Sequence, residues 1–195
     1  MKLPYVFIVN ALTKMFYSTV FPSPIGMITL ACNSDGKTLA GLWLEGQKYH
    51  GGAIPEAMTP KNDIPIFTAV KKWLDKYFAG EEPAISELSL APIGGEFRQG
   101  VWNILCEIPY GGVITYGDIA KKMAKKVNKE SMSSQAVGGA VGHNPISIII
   151  PCHRVVGSNG SLIGYAGGVK TKIKLLKLEG VDMSRLFVPT KGTAL

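Results

Sequence analysis

No apolar stretch in this 195-residue chain reaches the roughly 18 to 20 residues that a membrane helix needs. There is no Cys-x-x-Cys pair, and cysteine is scarce: Cys32, Cys106 and Cys152 are widely spaced and odd in number. That argues against a disulfide framework and for a reducing compartment such as the cytoplasm. Histidine is equally sparse, at positions 50, 143 and 153, with no ligand spacing for zinc. Neither a metal nor another cofactor is therefore expected. Met1–Leu12 has one lysine and a short apolar run but no small-residue cleavage site, and reads as an ordinary N-terminus. The glycine-rich stretch Gly164–Gly168 lacks the Gly-Lys-Ser/Thr of a phosphate loop.

Acidic residues are too few to balance the basic ones, 14 against 21, leaving a net charge of +7. The excess is confined to one half. Met1–Leu90 carries 8 basic and 8 acidic residues, whereas Ala91–Leu195 carries 13 and 6. A basic half suits a phosphate-bearing partner; a solvated lysine-rich face is the alternative. The hydrophobic fraction of 46% fits a folded globular chain.

The patterning predicts an α/β domain over residues 1–90, a three-stranded antiparallel sheet plus a helix. The strands are Phe16–Val20, Met27–Cys32 and Leu39–Leu44, with turns at Pro22–Gly26 and Asn33–Gly36. Gln47–Asp63 has no period and reads as a loop. Phe67, Val70, Trp73, Leu74 and Tyr77 recur at helical spacing up to Gly80. A linker from about residue 81 leads to a mainly α domain over 91–195. There Phe97–Ile108 is helical, and Trp102, off its main stripe, is expected to pack. Thr115 caps a second helix, with Asp118 three residues on. A basic connector follows, and Ser133–Ser134 cap a third helix, Gln135–Val141. The pair is a helix-turn-helix candidate. The third helix is rich in glycine, which weakens it by ~1 kcal/mol per residue but permits close approach to a flat or narrow partner. Val169–Leu178 is a basic amphipathic helix, and Val181–Leu195 reads as a tail.

The densest chemistry lies in Ile148–Val156, where two apolar runs flank Cys152, His153 and Arg154. The run reads as a buried strand, or the approach to a buried turn, ending at Pro151. A thiol beside an imidazole and a guanidinium is expected to have a depressed pKa and to be a nucleophile; an inert core cysteine is the alternative. His153 is the adjacent base, reaching the sulfur through a water. Glu179 completes a Cys-His-Glu relay by orienting His153. A conventional cysteine hydrolase is disfavoured, because such enzymes bring their histidine from a distant segment.

The motif Ile150–Val155, Ile-Pro-Cys-His-Arg-Val, resembles that of the O6-alkylguanine-DNA alkyltransferases, the methylated-DNA–protein-cysteine methyltransferases. The resemblance is strong from about Phe97 to Gly180 and weak from about Phe16 to Phe78. It implies a single-turnover repair protein whose Cys152 takes an alkyl group from O6-alkylguanine in double-stranded DNA, and leaves O4-alkylthymine open as a second substrate. It further implies a winged helix-turn-helix entering the minor groove, monomeric action and no membrane association. On this resemblance Tyr116 donates a proton to the base, and Asn144 ties the third helix to the reactive turn. Ser134, Gln135, Ala136, Gly138, Gly139 and Arg154 face DNA. Tyr165, Ala166, Gly167 and the backbone of Cys152 and Val155 form the base pocket. Gln135 stands where the family commonly has Arg, and Ala166 where it often has Ser. The runner-up is an alkyl-DNA-binding module without turnover, as in relatives that lack the cysteine.

Overall fold

The structure is a computed structural model that describes residues 15–52, 54 and 57–190. The Met1–Leu12 reading lies outside them. The first half begins with the antiparallel strands β1 (Phe16–Ser23), β2 (Gly26–Asn33) and β3 (Leu39–Leu44). β1 runs through the expected turn at Pro22. Pro22 faces Met27, whose carbonyl is turned to the other neighbour, accepting from Glu45 N at 2.9 Å. The proline nitrogen thus points away from β2, where its missing N–H costs no ladder bond. The sheet has four strands, not three, because β4 (Thr59–Pro60) joins β1 in parallel in the order β3-β2-β1-β4. Two residues are too few to show a period, so Gln47–Asp63 reads as loop throughout.

Helix α1 (Pro65–Phe78) starts with proline at its first turn, where no N–H is needed. It buries Ile66, Phe67, Val70, Trp73, Leu74 and Tyr77 on one stripe against the sheet. Gly80, at φ +85°, takes the left-handed conformation after its end. The second half holds α2 (Glu96–Cys106), the short strand β5 (Ile114–Thr115), α3 (Tyr116–Lys126), α4 (Ser134–Gly142), β6 (Val155–Val156) and α5 (Val169–Leu178). Thr115 caps α3 by accepting from Asp118 N at 3.1 Å, and Ser133 caps α4 from Ala136 N at 3.3 Å. Trp102 is buried and donates to the Ala140 carbonyl at 2.9 Å, fixing α2 to α4.

Two stretches that look unstructured in sequence are held by hydrogen bonds. Leu39 on β3 donates to Ser89 O at 2.9 Å and accepts from Ala91 N at 2.8 Å, so the linker lies along the sheet edge. Further along that edge, Leu42 donates to Pro145 O at 2.8 Å and accepts from Ser147 N at 2.9 Å. The expected tail contains a 3-10 turn (Met183–Arg185), and Phe187 exchanges bonds with Gly160 and Leu162. One apolar core runs through both halves, joining Leu42, Phe67 and Leu74 to Leu105, Ile148 and Cys152.

Candidate active site

The apolar run before Cys152 does not form a strand. Ile146 makes an isolated bridge to Leu42, and Ile148 turns at φ +70°, an uncommon conformation for a β-branched residue. Such backbone costs about 1–3 kcal/mol and persists only where its surroundings dictate it. Here they do: Asn144 accepts from Ile146 N at 3.0 Å and donates to Ile150 O at 2.8 Å. The same amide nitrogen lies 3.1 Å from Cys152 Sγ. One buried side chain therefore shapes the turn and offers a donor to the sulfur.

Cys152 opens a 3-10 turn, Cys152–Arg154, and is 4% exposed. Burial pushes its thiol up, against the opposing pull of the Asn144 donor and the Lys172 charge. The expected depressed pKa is thus corrected. Among the described residues His153 makes no hydrogen bond to the sulfur; its Nε2 lies 2.6 Å from Glu179 Oε1. Burial holds the imidazole below its ordinary value despite Glu179. An ionised carboxylate only accepts, so Nε2 carries the proton of the neutral ring. Nδ1 is then a bare, buried acceptor with no hydrogen bond among the described residues.

Glu179 follows the last residue of α5 and is buried. Burial alone would raise its pKa, but His153 and Arg154 bring it down to about 2. Arg154 was expected on DNA. It is instead 7% exposed, with Nε at 2.8 Å from Glu179 Oε2 and Nη1 at 2.6 Å from Ile108 O. A guanidinium at this depth needs a counter-charge, and Glu179 supplies it.

Two residues escaped sequence reading. Tyr77 donates to Glu179 Oε1 at 2.7 Å across 102 positions, a distance over which no local pattern speaks. Lys172 is fully buried, its ammonium bonded to Val155 O and, at 2.7 Å, to Ile163 O. Burial lowers its pKa to about 8, opposed by Cys152. Lys172, Leu175, Leu176 and Glu179 share the buried stripe of α5 at i, i+3, i+4 and i+7. That phase was the available signal; the neighbouring lysines hid it. The Val155 carbonyl expected to meet a base is already one of the two that hold Lys172.

Tyr116, the first residue of α3, points its hydroxyl to Ile163 O at 3.3 Å. Burial and then Cys152 raise its pKa to about 12, so it stays protonated. Gly164, at φ +71°, allows this position, since a Cβ there would sit 2.4 Å from the Tyr116 hydroxyl. Tyr165 is buried, its ring edge-on to His153 at 6.3 Å and its hydroxyl unbonded. Tyr165, Ala166 and Gly167 line a cleft of about 450 Å³ whose other walls are Gly138, Gly139, His143 and the N-terminal residues Lys48 and Tyr49. Cys152 does not line that cleft. Lys48 N donates to Ala166 O at 3.0 Å, and Tyr49 stacks on His143 at 4.1 Å.

On α4, Val137, Ala140 and Val141 face inward, while Ser134, Gln135, Ala136 and Gly139 are exposed. A Cβ added at Gly139 or Gly142 would meet nothing within 4 Å, so folding itself does not demand glycine there. Gly138 faces the Tyr116 ring, which such a Cβ would meet at an ordinary 3.9 Å. Lys121, Lys125 and Lys129 flank a groove beside the start of α4.

Residues 96–181 match the family described as 6-O-methylguanine DNA methyltransferase, DNA binding domain. Residues 15–92 match its ribonuclease-like domain. The chain belongs to this family. It is 43% identical over 164 residues to the methylated-DNA–protein-cysteine methyltransferase of Methanosarcina acetivorans, covering 84% of this chain and 98% of that protein. The Haemophilus influenzae protein of the same name is 39% identical over 171 residues, 87% of this chain and 89% of that one. The crystal structure of Mycobacterium tuberculosis O6-methylguanine methyltransferase superposes with TM-score 0.69 at 39% identity, covering 91% and 97%. The family's N-terminal sheet with a helix and its mainly helical C-terminal part are both present. Among the described residues no His/Cys/Asp/Glu cluster could hold a metal, and no helix could cross a membrane.

Proposed function

We propose that this protein repairs DNA by moving the alkyl group of O6-alkylguanine irreversibly to Cys152, as a methylated-DNA–protein-cysteine S-methyltransferase. The observation that carries the reading is the buried Cys152 thiol with an amide donor, a buried cation and a neutral imidazole arranged about it. The relatives' names support it. The Mycobacterium tuberculosis relative has also been crystallised in complex with DNA.

The thiol proton passes through a water to His153 Nδ1, while Glu179 holds the imidazolium that results. The sulfur forms a bond to the alkyl carbon as the carbon–O6 bond breaks, and its electrons return to the purine. Tyr116 supplies the proton that neutralises the ring. Asn144 and Lys172 favour the thiolate that attacks. No group removes the alkyl from sulfur again, so the protein is spent after one turnover.

The base must leave the helical stack to be reached. In this reading α3 and α4 are a winged helix-turn-helix, with Ser134, Gln135, Ala136, Gly138 and Gly139 at the minor groove. The bare outer face of α4 suits close approach there, and the lysines beside it suit phosphates. Gln135 fills the gap left by the flipped base without adding charge. Tyr165, Ala166 and Gly167 wall the base pocket. The chain acts as a monomer built of two domains, 1–90 and 91–195, in the cytoplasm or on the nucleoid.

The test is to incubate the protein with duplex DNA containing O6-methylguanine and measure its intact mass. Gain of one methyl group per chain, lost in Cys152→Ala, is expected. Tight binding without mass gain would instead indicate an alkyl-DNA-binding module, and neither result would leave a cysteine hydrolase.

A further inference from the structure

Among the described residues four hydrogen bonds reach the Glu179 carboxylate, and three of them come from the half of the chain that carries Cys152. Oε1 accepts from His153 Nε2 at 2.6 Å and Arg154 Nη2 at 3.1 Å, and Oε2 from Arg154 Nε at 2.8 Å. The fourth donor is the Tyr77 hydroxyl, 2.7 Å from Oε1, in the last turn of α1. We propose that Tyr77 is a positioning residue of the relay: by sharing Oε1 with His153 it sets how basic the imidazole is toward the Cys152 thiol. This rests on the alkyl-transfer reading and gives the N-terminal half a part in the chemistry.

The hydroxyl is aimed, not incidental. Tyr77 is 1% exposed, its ring stacked on Trp73 at 5.5 Å and edge-on to Phe78 and Tyr110 at 5.3 and 6.1 Å. That packing leaves the phenol one direction. Burial and the adjacent carboxylate raise its pKa, so it remains a donor at any working pH. Each donor on a carboxylate lowers the charge left for the others. With the Tyr77 hydroxyl gone, more of the Oε1 charge falls on His153, and the imidazolium is stabilised. His153 would then hold a proton at a higher pH, where it can no longer accept one from the thiol. The other groups about His153 are Cys152, Lys172, Arg154 and Tyr165. Of these, Arg154 and Tyr165 also interact electrostatically with Tyr77, and Arg154 Nη2 shares Oε1, so the charge released by Tyr77→Phe is divided between His153 and Arg154.

The experiment compares the parent with Tyr77→Phe in two readouts. One is the pH dependence of single-turnover methyl transfer; the other is the His153 titration by NMR on histidine-labelled protein. In Tyr77→Phe the acid limb and the His153 midpoint should both move up by roughly half to one pH unit, a ~3- to 10-fold slower transfer on that limb. Above the acid limb, up to the pH near 8 at which Lys172 begins to lose its charge, the rate should match or exceed the parent's. Tyr110→Phe removes a hydroxyl that bonds Leu178 O at the end of α5, not the carboxylate, and should leave both readouts unchanged. Should Tyr77→Phe fail to fold, 3-fluorotyrosine at position 77 keeps the packing and strengthens the donor, and should move both midpoints down. A uniform rate loss at all pH with an unmoved His153 midpoint would make Tyr77 a packing residue and overturn the proposal. The titration is read whether or not methyl is taken up, so a parent that transfers nothing sinks the alkyl-transfer reading alone.

Discussion

Glu179→Gln tests the buried charge cluster most directly. The carboxyl is held at about 2 against an ordinary 4.5. Such a depression corresponds to about 3 kcal/mol of folding stability. The sign follows from the direction: a depressed carboxyl stabilises the fold fully above about pH 4.5 to 5, and the contribution is lost as pH falls toward 2. A second route gives a similar size. Glutamine keeps an oxygen for one donor but leaves Arg154, 7% exposed, without a counter-charge. Breaking one side of a buried pair costs about 3–5 kcal/mol. Urea unfolding at pH 7 should therefore show Glu179→Gln less stable by about 3–5 kcal/mol. The gap should narrow as both proteins are taken down toward pH 3. Methyl transfer at pH 7 should fall by roughly 100-fold, the low end of what a positioned base contributes, because His153 must compete with Tyr77 and Arg154 for the one oxygen left and loses the charge that stabilises its imidazolium. A variant within 1 kcal/mol of the parent at pH 7, with the same acid dependence, would refute the reasoning (about 1 kcal/mol being what an exposed pair is worth).

Lys172 should give the rate an alkaline limb. Its pKa near 8 means the charge that favours the thiolate is lost above that pH, so transfer should decline there, and Lys172→Met should be slow throughout and lack the limb. Gly164→Ala places a Cβ against the Tyr116 hydroxyl at φ +71°. Stopped-flow transfer should slow at least 10-fold and thermal unfolding should report a loss of about 1–2 kcal/mol from the backbone strain alone. Gln135→Arg adds a cation on the exposed side of α4 and should tighten binding to undamaged duplex, with a salt slope steeper by about one in a log–log plot. An unchanged slope would remove Gln135 from the DNA face.

Local rules carried much of the fold and little of the site's interior. The caps at Thr115 and Ser133, the stripe of α1 and the Gly80 stop each depend on neighbours a few residues away, and each is legible. Arg154 was misread for the opposite reason. Nothing within its motif shows that Glu179, 25 positions later, will draw it inward. The same holds for the thiol: adjacency to His153 promised a low pKa, but adjacent side chains diverge, and burial decides. Lys172 was legible only to someone who weighed its helical phase above its charge. The β3 edge contacts follow no pattern at all, since they are backbone bonds between segments without periodicity.

Those edge contacts bear on how the molecule comes apart. β3 is bonded on one side to Ser89 and Ala91 and, three residues on, to Pro145 and Ser147, the approach to the reactive turn. A protease cut between residues 91 and 95 would sever the covalent path and leave this seam intact. Nicked protein should therefore migrate as one particle and melt in one transition. The acceptor turn is not a cassette that could be transplanted without the strand that braces it.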